Sequence, residues 1–147
     1  MGPALDADEV RQLERALASR PWARYLGAVA HHAMPSLLAA ADIVLNCSAS
    51  EGGMANAVLE ALALGRAVLA ADIPGNRSLV ADGVTGFLFA SDAELAEKAG
   101  WLAKDGALRR RLGEAGRRLV ATRFTPAVET DGYLAVYRRV ADERAEA

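Results

Sequence analysis

Glu51 and Glu60 are the residues whose type and spacing could do chemistry, because the five residues after Glu51, Gly52-Gly53-Met54-Ala55-Asn56, read as a turn that opens a helix. Adjacent glycines let a backbone come close to a ligand and take torsions closed to other residues. A helix start offers free N–H groups, which suit a phosphate. A carboxylate beside that phosphate would repel it, so Glu51 is expected to point past it toward hydroxyl groups, from which carboxylates accept well. Glu60, about one turn inside the helix, would reach a second set of hydroxyls. An anion cradle flanked by two hydroxyl acceptors describes a ligand made of a sugar, a diphosphate and a ribose. The same residues also fit a plainer description. Gly52-Gly53 is then a tight turn, Asn56 a helix cap, Glu60 a surface residue favoured by the helix dipole, and Glu51 a solvated turn residue.

The elements that would hold these residues can be read along the chain. "LDADEVRQLERALA" opens with Asp6 and Glu9 at capping-box spacing and puts Val10, Leu13 and Leu17 on one helical face. A short strand is expected at Ala23–Leu26 and a short helix at Met34–Ala41 with Pro35 in its first turn. Apolar runs at Asp42–Ser48, Ala67–Asp72 and Thr85–Phe89 read as strands. Between the first two lies the helix Asn56–Gly65, with Asn at its start and Gly at its end. Three helices follow. The first is capped by Ser91 with Glu94, the second carries Leu108, Leu112 and Leu119, and the third starts at Thr125-Pro126. Val128, Tyr133, Tyr137 and Val140 form the apolar face expected of the last one. The strands are continuous apolar runs, as strands covered on both faces are. Their alternation with helices predicts an α/β fold with a parallel sheet, whose ligands sit at the carboxyl ends of the strands. The loop Ser48–Ala55 lies at such an end.

Composition narrows the function classes. The net charge of −2 gives no electrostatic case for nucleic acid. The basic run "LRRRLGEAGRRL" reads as a solvated helix face. Cys47 is the sole cysteine, so an internal disulfide is impossible, which fits the cytoplasm. Asp6, Asp8 and Glu9 stand where a signal peptide needs positive charge. No apolar run reaches membrane-spanning length, so any membrane contact is expected to be peripheral. His31-His32 is the only candidate metal-ligand pair and reads as a surface loop; no metal site and no cofactor are expected.

With these residues in place, "SEGGMANAVLEALALGRAVLAADIPGNRSLVADGVTGFLF" resembles the donor-binding signature of the retaining GT-B glycosyltransferases of family 4. That family carries two glutamates with seven residues between them, a Gly-Arg-Pro-Val-type strand, a Gly-rich loop and an Asp-Gly-x-x-Gly turn. The resemblance runs from about Gly2 to Tyr137. It implies a partial Rossmann-like sheet, the C-terminal half of a GT-B enzyme. It also implies transfer of a sugar from a nucleotide diphosphate sugar with retention of configuration. Glu51 would contact the transferred sugar, Glu60 the ribose hydroxyls, and the backbone of Gly52, Gly53, Met54, Ala55 and Asn56 the sugar and diphosphate. The segment around Val29 would lie near the base.

The chain departs from the pattern in three ways. Eight residues, not seven, separate the glutamates, so a bulge is expected in the glycine turn. Ser78 stands where many relatives have a glutamate. The resemblance covers only the later part of the donor domain. "MGPALD" looks like the tail of that domain's second strand, and neither the first strand, the basic pair that usually neutralises the diphosphate, nor the acceptor-binding domain has a counterpart. The strands from Asp42, Ala67 and Thr85 are then neighbours in that order, with one edge open to self-association or to a partner chain. The alternatives are a non-catalytic nucleotide-sugar-binding fragment, a subunit of a split enzyme, and a GT-B-like epimerase.

Overall fold

The computed structural model of the chain describes residues 7–50 and 52–145. The chain falls into two compact units, Met1–Leu37 and Leu38–Ala147. In the first, α1 (Ala7–Ala18) keeps Val10, Leu13 and Leu17 half-buried on one face, as the periodicity predicts. Asp6, the expected cap, and the "MGPALD" tail lie outside the described residues. A turn closes after α1 through the Arg20 N–H to the Leu17 carbonyl. The expected strand at Ala23–Leu26 does not form: the segment has no regular structure, and Tyr25 and Leu26 are exposed. A strand exists through its neighbour, and no strand among the described residues pairs with this one. Gly27, at φ +67°, then turns the chain. His31 and His32 sit exposed on a single 3₁₀ turn rather than in a loop.

Helix α2 (Met34–Ala40) buries Leu38. The second unit is built on a parallel sheet in the order β1 (Ile43–Asn46), β2 (Ala67–Ala71), β3 (Phe87–Phe89), as expected from the three apolar runs. Ile43 is in register with Ala67 and Leu69 with Phe87. The middle strand is buried on both faces, which is why its sequence shows no alternation. Helix α3 (Asn56–Ala63) links β1 to β2, and α4 (Pro74–Arg77) follows β2. Helices α5 (Asp92–Lys104), α6 (Gly106–Arg123) and α7 (Pro126–Ala145) complete the chain.

The core joins Ala67, Leu69, Phe87, Leu102 and Leu112, with Ile43, Leu95 and Leu108 packed against it. Each fully buried leucine contributes about 1.5–3 kcal/mol. Local chemistry sets the helix ends. Gly65 takes the left-handed conformation at φ +68°, while the Gly65 and Arg66 N–H groups donate back to Leu62 and Ala61. That is the Schellman closure of α3. Ser91 caps α5 by accepting from the Glu94 N–H at 3.3 Å, and Asp105 caps α6 by accepting from Leu108 at 2.9 Å. Thr125 accepts from the Val128 N–H at the start of α7. The expected face of α7 is left uncovered: Val128, Tyr133, Tyr137 and Val140 are all exposed.

Candidate functional site

Because the sheet is parallel, Asn46, Ala71 and Phe89 all end their strands at one edge. The segment 47–55, α4 and Ser91 emerge there. Glu51, the expected sugar contact, lies outside the described residues. Gly52, Gly53 and Met54 are exposed, and a Cβ at either glycine would meet nothing within 4 Å. Neither glycine has a positive φ, so the expectation of unusual torsions is not met. Open backbone is what remains of the argument for glycine there.

Ala55 anchors the entrance to α3. It is 2% exposed, and its carbonyl accepts from Val58 and Leu59 at 3.0 Å. It, rather than Asn56, is the residue before the first helical turn, and no side chain caps the helix. Asn56 is the first helical residue and exposed. The first amides of a helix have no intrahelical acceptor, so this end is available to an anion. Glu60 follows one turn later, half-buried, with no hydrogen bond or ion pair to its carboxylate among the described residues. The structure therefore brings Gly52, Gly53, Met54, Ala55, Asn56 and Glu60 onto one continuous loop and helix at the carboxyl edge.

Three residues that the motif reading passed over shape the same edge. Asp72 and Arg77 form a two-pronged pair across α4, with Nε to Oδ1 at 2.6 Å and Nη2 to Oδ2 at 2.9 Å. Hydrogen bonding from Arg77 holds the Asp72 carboxyl below its ordinary range, against an opposing desolvation effect. Asn76 is fully buried, and its Nδ2 donates to the Ala71 carbonyl at 2.8 Å and to Asn46 Oδ1 at 3.2 Å. The sequence signals were an asparagine ending an apolar strand and another two residues past a proline. Behind the loop, Met54, Leu59, Phe124, Val128, Tyr133 and Val136 line an apolar groove of about 590 Å³ that does not include Glu60. Among the described residues no group of three or more His, Cys, Asp or Glu side chains could hold a metal ion, and no helix is long and apolar enough to cross a membrane.

The comparisons with known proteins agree with this architecture. The chain is 34% identical over 140 residues to an alpha-maltose-1-phosphate synthase of Mycolicibacterium smegmatis, covering 89% of this chain and 35% of that protein. It is similar to the solved C-terminal domain of a Francisella tularensis glycosyl transferase group 1 family protein, LpcC. There the TM-score is 0.72 and the identity 28%, over 82% of this chain and 65% of that one. Anabaena HepE, solved in complex with UDP-glucose, superposes with a TM-score of 0.74 at 23% identity, over 97% of this chain and 38% of that one. The chain spans between 23% and 38% of the length of the curated relatives compared with it. Its three-stranded parallel sheet flanked by helices is the fold of GT-B glycosyltransferase C-terminal domains. The family model described as glycosyl transferases group 1 matches residues 1–105, and the chain belongs to that family.

Proposed function

We propose that this chain is the donor-binding part of a retaining GT-B glycosyltransferase of family 4, taking a sugar from a nucleotide diphosphate sugar. The observation that carries the reading is the carboxyl edge of the sheet, where an exposed glycine pair leads into the uncapped start of α3 with Glu60 one turn beyond. The unpaired amides at that start hold the diphosphate and take up its growing negative charge as it leaves. Glu60 accepts hydrogen bonds from the ribose hydroxyls. Glu51 does the same for the transferred sugar. The backbone of Gly52, Gly53, Met54, Ala55 and Asn56 packs along the sugar and diphosphate. The chemistry asked of these residues is orientation and charge stabilisation, and the reading needs neither metal ion nor cofactor.

The acceptor half comes from outside these residues, either as further chain or as a partner chain. The complex of HepE with UDP-glucose supports a uridine diphosphate sugar as first probe. The 147-residue chain is expected to bind that donor and to transfer little by itself. Calorimetric titration with UDP, UDP-glucose and a panel of other nucleotide-sugars tests the reading. Saturable binding of at least one, weakened in Glu60→Ala, is the expected result. No binding of any member of the panel by the folded chain overturns it.

A further inference from the structure

Asn76 does something that donor binding as just described leaves unexplained. Its side chain is fully buried on a helix of four residues, and its Oδ1 has no hydrogen-bond partner among the described residues. A buried acceptor left unpaired is unfavourable. The amide at this position is therefore held by what its Nδ2 donates to, at the expense of its Oδ1.

What the amide does make is directional. The Ala71 carbonyl can only accept, so Nδ2 must be the end that faces it, at 2.8 Å. The Ser48 N–H can only donate, so Asn46 must turn Oδ1 toward it, at 3.2 Å. Asn76 Nδ2 then donates to that same Asn46 Oδ1 at 3.2 Å. Backbone groups at both ends thus fix both amides. The resulting relay runs from the last residue of β2, through Asn76 and Asn46, to Ser48. Asn46 is the last residue of β1, and Ser48 stands at the root of the segment that carries the glycine pair.

We propose that Asn76 is a positioning residue for this segment. Acting through Asn46, it sets where the chain leaves the sheet at Ser48, and so where the glycine backbone further on meets the donor. The inference rests on the donor reading above. It separates two roles at one edge: Glu60 touches the ligand, while the Asn46–Asn76 relay holds the loop still whether or not ligand is present.

Hydrogen exchange of the 147-residue chain without ligand tests this, alongside titration with UDP. Asn76→Leu and Asn46→Leu should each speed exchange of the Ser48 amide, which donates to Asn46 Oδ1, about tenfold, as loss of one net hydrogen bond would. Amides of Leu62 and Leu69 should be unchanged, and the Kd for UDP should rise about tenfold. Unchanged loop exchange in a folded variant overturns the proposal. So does equal acceleration of loop and core, which would make the relay a general stabiliser. If Asn76→Leu does not fold, Asn46→Leu decides on the same readings, because it leaves the bond from Asn76 to Ala71 in place. Glu60→Ala separates the two ideas. If Glu60→Ala binds UDP more weakly while the relay variants bind it normally, the relay is refuted and the donor reading stands. If Glu60→Ala binds UDP normally, the donor reading fails, and loop exchange in the relay variants still decides whether the relay positions the segment.

Discussion

Gly113 on α6 lies so close to Gly65 at the end of α3 that a Cβ on Gly113 would stand 2.1 Å from the Gly65 carbonyl oxygen. The obstacle is backbone, and Gly65 is held in a left-handed conformation that closes its helix. Neither side can give. Gly113→Ala should lower stability by about 3 kcal/mol, at the upper end of overpacking effects. Gly100→Ala on α5 is the control, because its Cβ would meet nothing within 4 Å. That change should be neutral or stabilising by about 0.5–1 kcal/mol, as for Gly to Ala inside a helix. Chemical denaturation of the two variants measures both, and equal effects would refute the close approach.

Glu60→Ala should weaken UDP-glucose binding by about 1.5–3 kcal/mol, the worth of a hydrogen bond to a charged group. Unfolding stability should stay within about 0.5 kcal/mol of the parent, since no group among the described residues bonds to this carboxylate. An unchanged Kd in calorimetry would sink the ribose assignment.

Gly53→Val should leave the fold intact, because the position is exposed and its φ is not positive. Donor affinity should still fall about tenfold if ligand approaches the backbone there, the size of one lost hydrogen bond. Normal binding by the valine variant would mean that the glycine pair is only a turn.

Asp72 contributes a pH dependence whose sign follows from its lowered carboxyl. A group with a depressed native pKa adds stability that is present above its unfolded value, about 3.9, and is lost as pH falls through the native one. Asp72→Asn should therefore unfold at lower temperature than the parent above about pH 5, with the gap closing in more acid solution. Melting curves across that range check it. A gap that widens toward low pH would contradict the assigned pairing with Arg77.

Among the described residues β1 has a strand neighbour on one side only, and Leu45 on it is 51% exposed. An open edge with apolar side chains invites pairing. The chain is expected to self-associate at micromolar concentrations, and Leu45→Lys should reduce that association. Sedimentation of both proteins decides. A parent that stays monomeric throughout would remove the edge as an interface.

Much of this architecture was legible because it rests on short-range chemistry. The runs that became β1, β2 and β3 are apolar without alternation because they are covered, and Gly65, Ser91 and Thr125 mark helix ends by what their own groups can do. The misreadings have a common physical cause. Ala23–Leu26 has strand-like residues, but strand formation depends on a neighbour that local sequence cannot supply. Asn56 looks like a cap, yet the chain enters α3 one residue earlier, at buried Ala55. The bond between Asn46 and Asn76 spans thirty positions, and the glycine contact between α3 and α6 is longer still; no periodicity encodes either. The placement of Glu60 was legible as a helix position, whereas Glu51 lies outside the described residues.

Lys98 is one of only two lysines in the chain, and its amine is engaged on several sides. It donates to the Leu88 carbonyl, lies 3.5 Å from Asp82 and 3.7 Å from Glu94, and sits 5.9 Å from the centre of the Phe87 ring, with its side chain 14% exposed. Lys104, at the end of α5, is exposed. An amine-reactive reagent should therefore modify Lys104 quickly and Lys98 only when β3 and α5 separate. The ratio of the two labels turns this pair into an internal clock for opening of the sheet's outer edge, readable by mass spectrometry without any engineered probe.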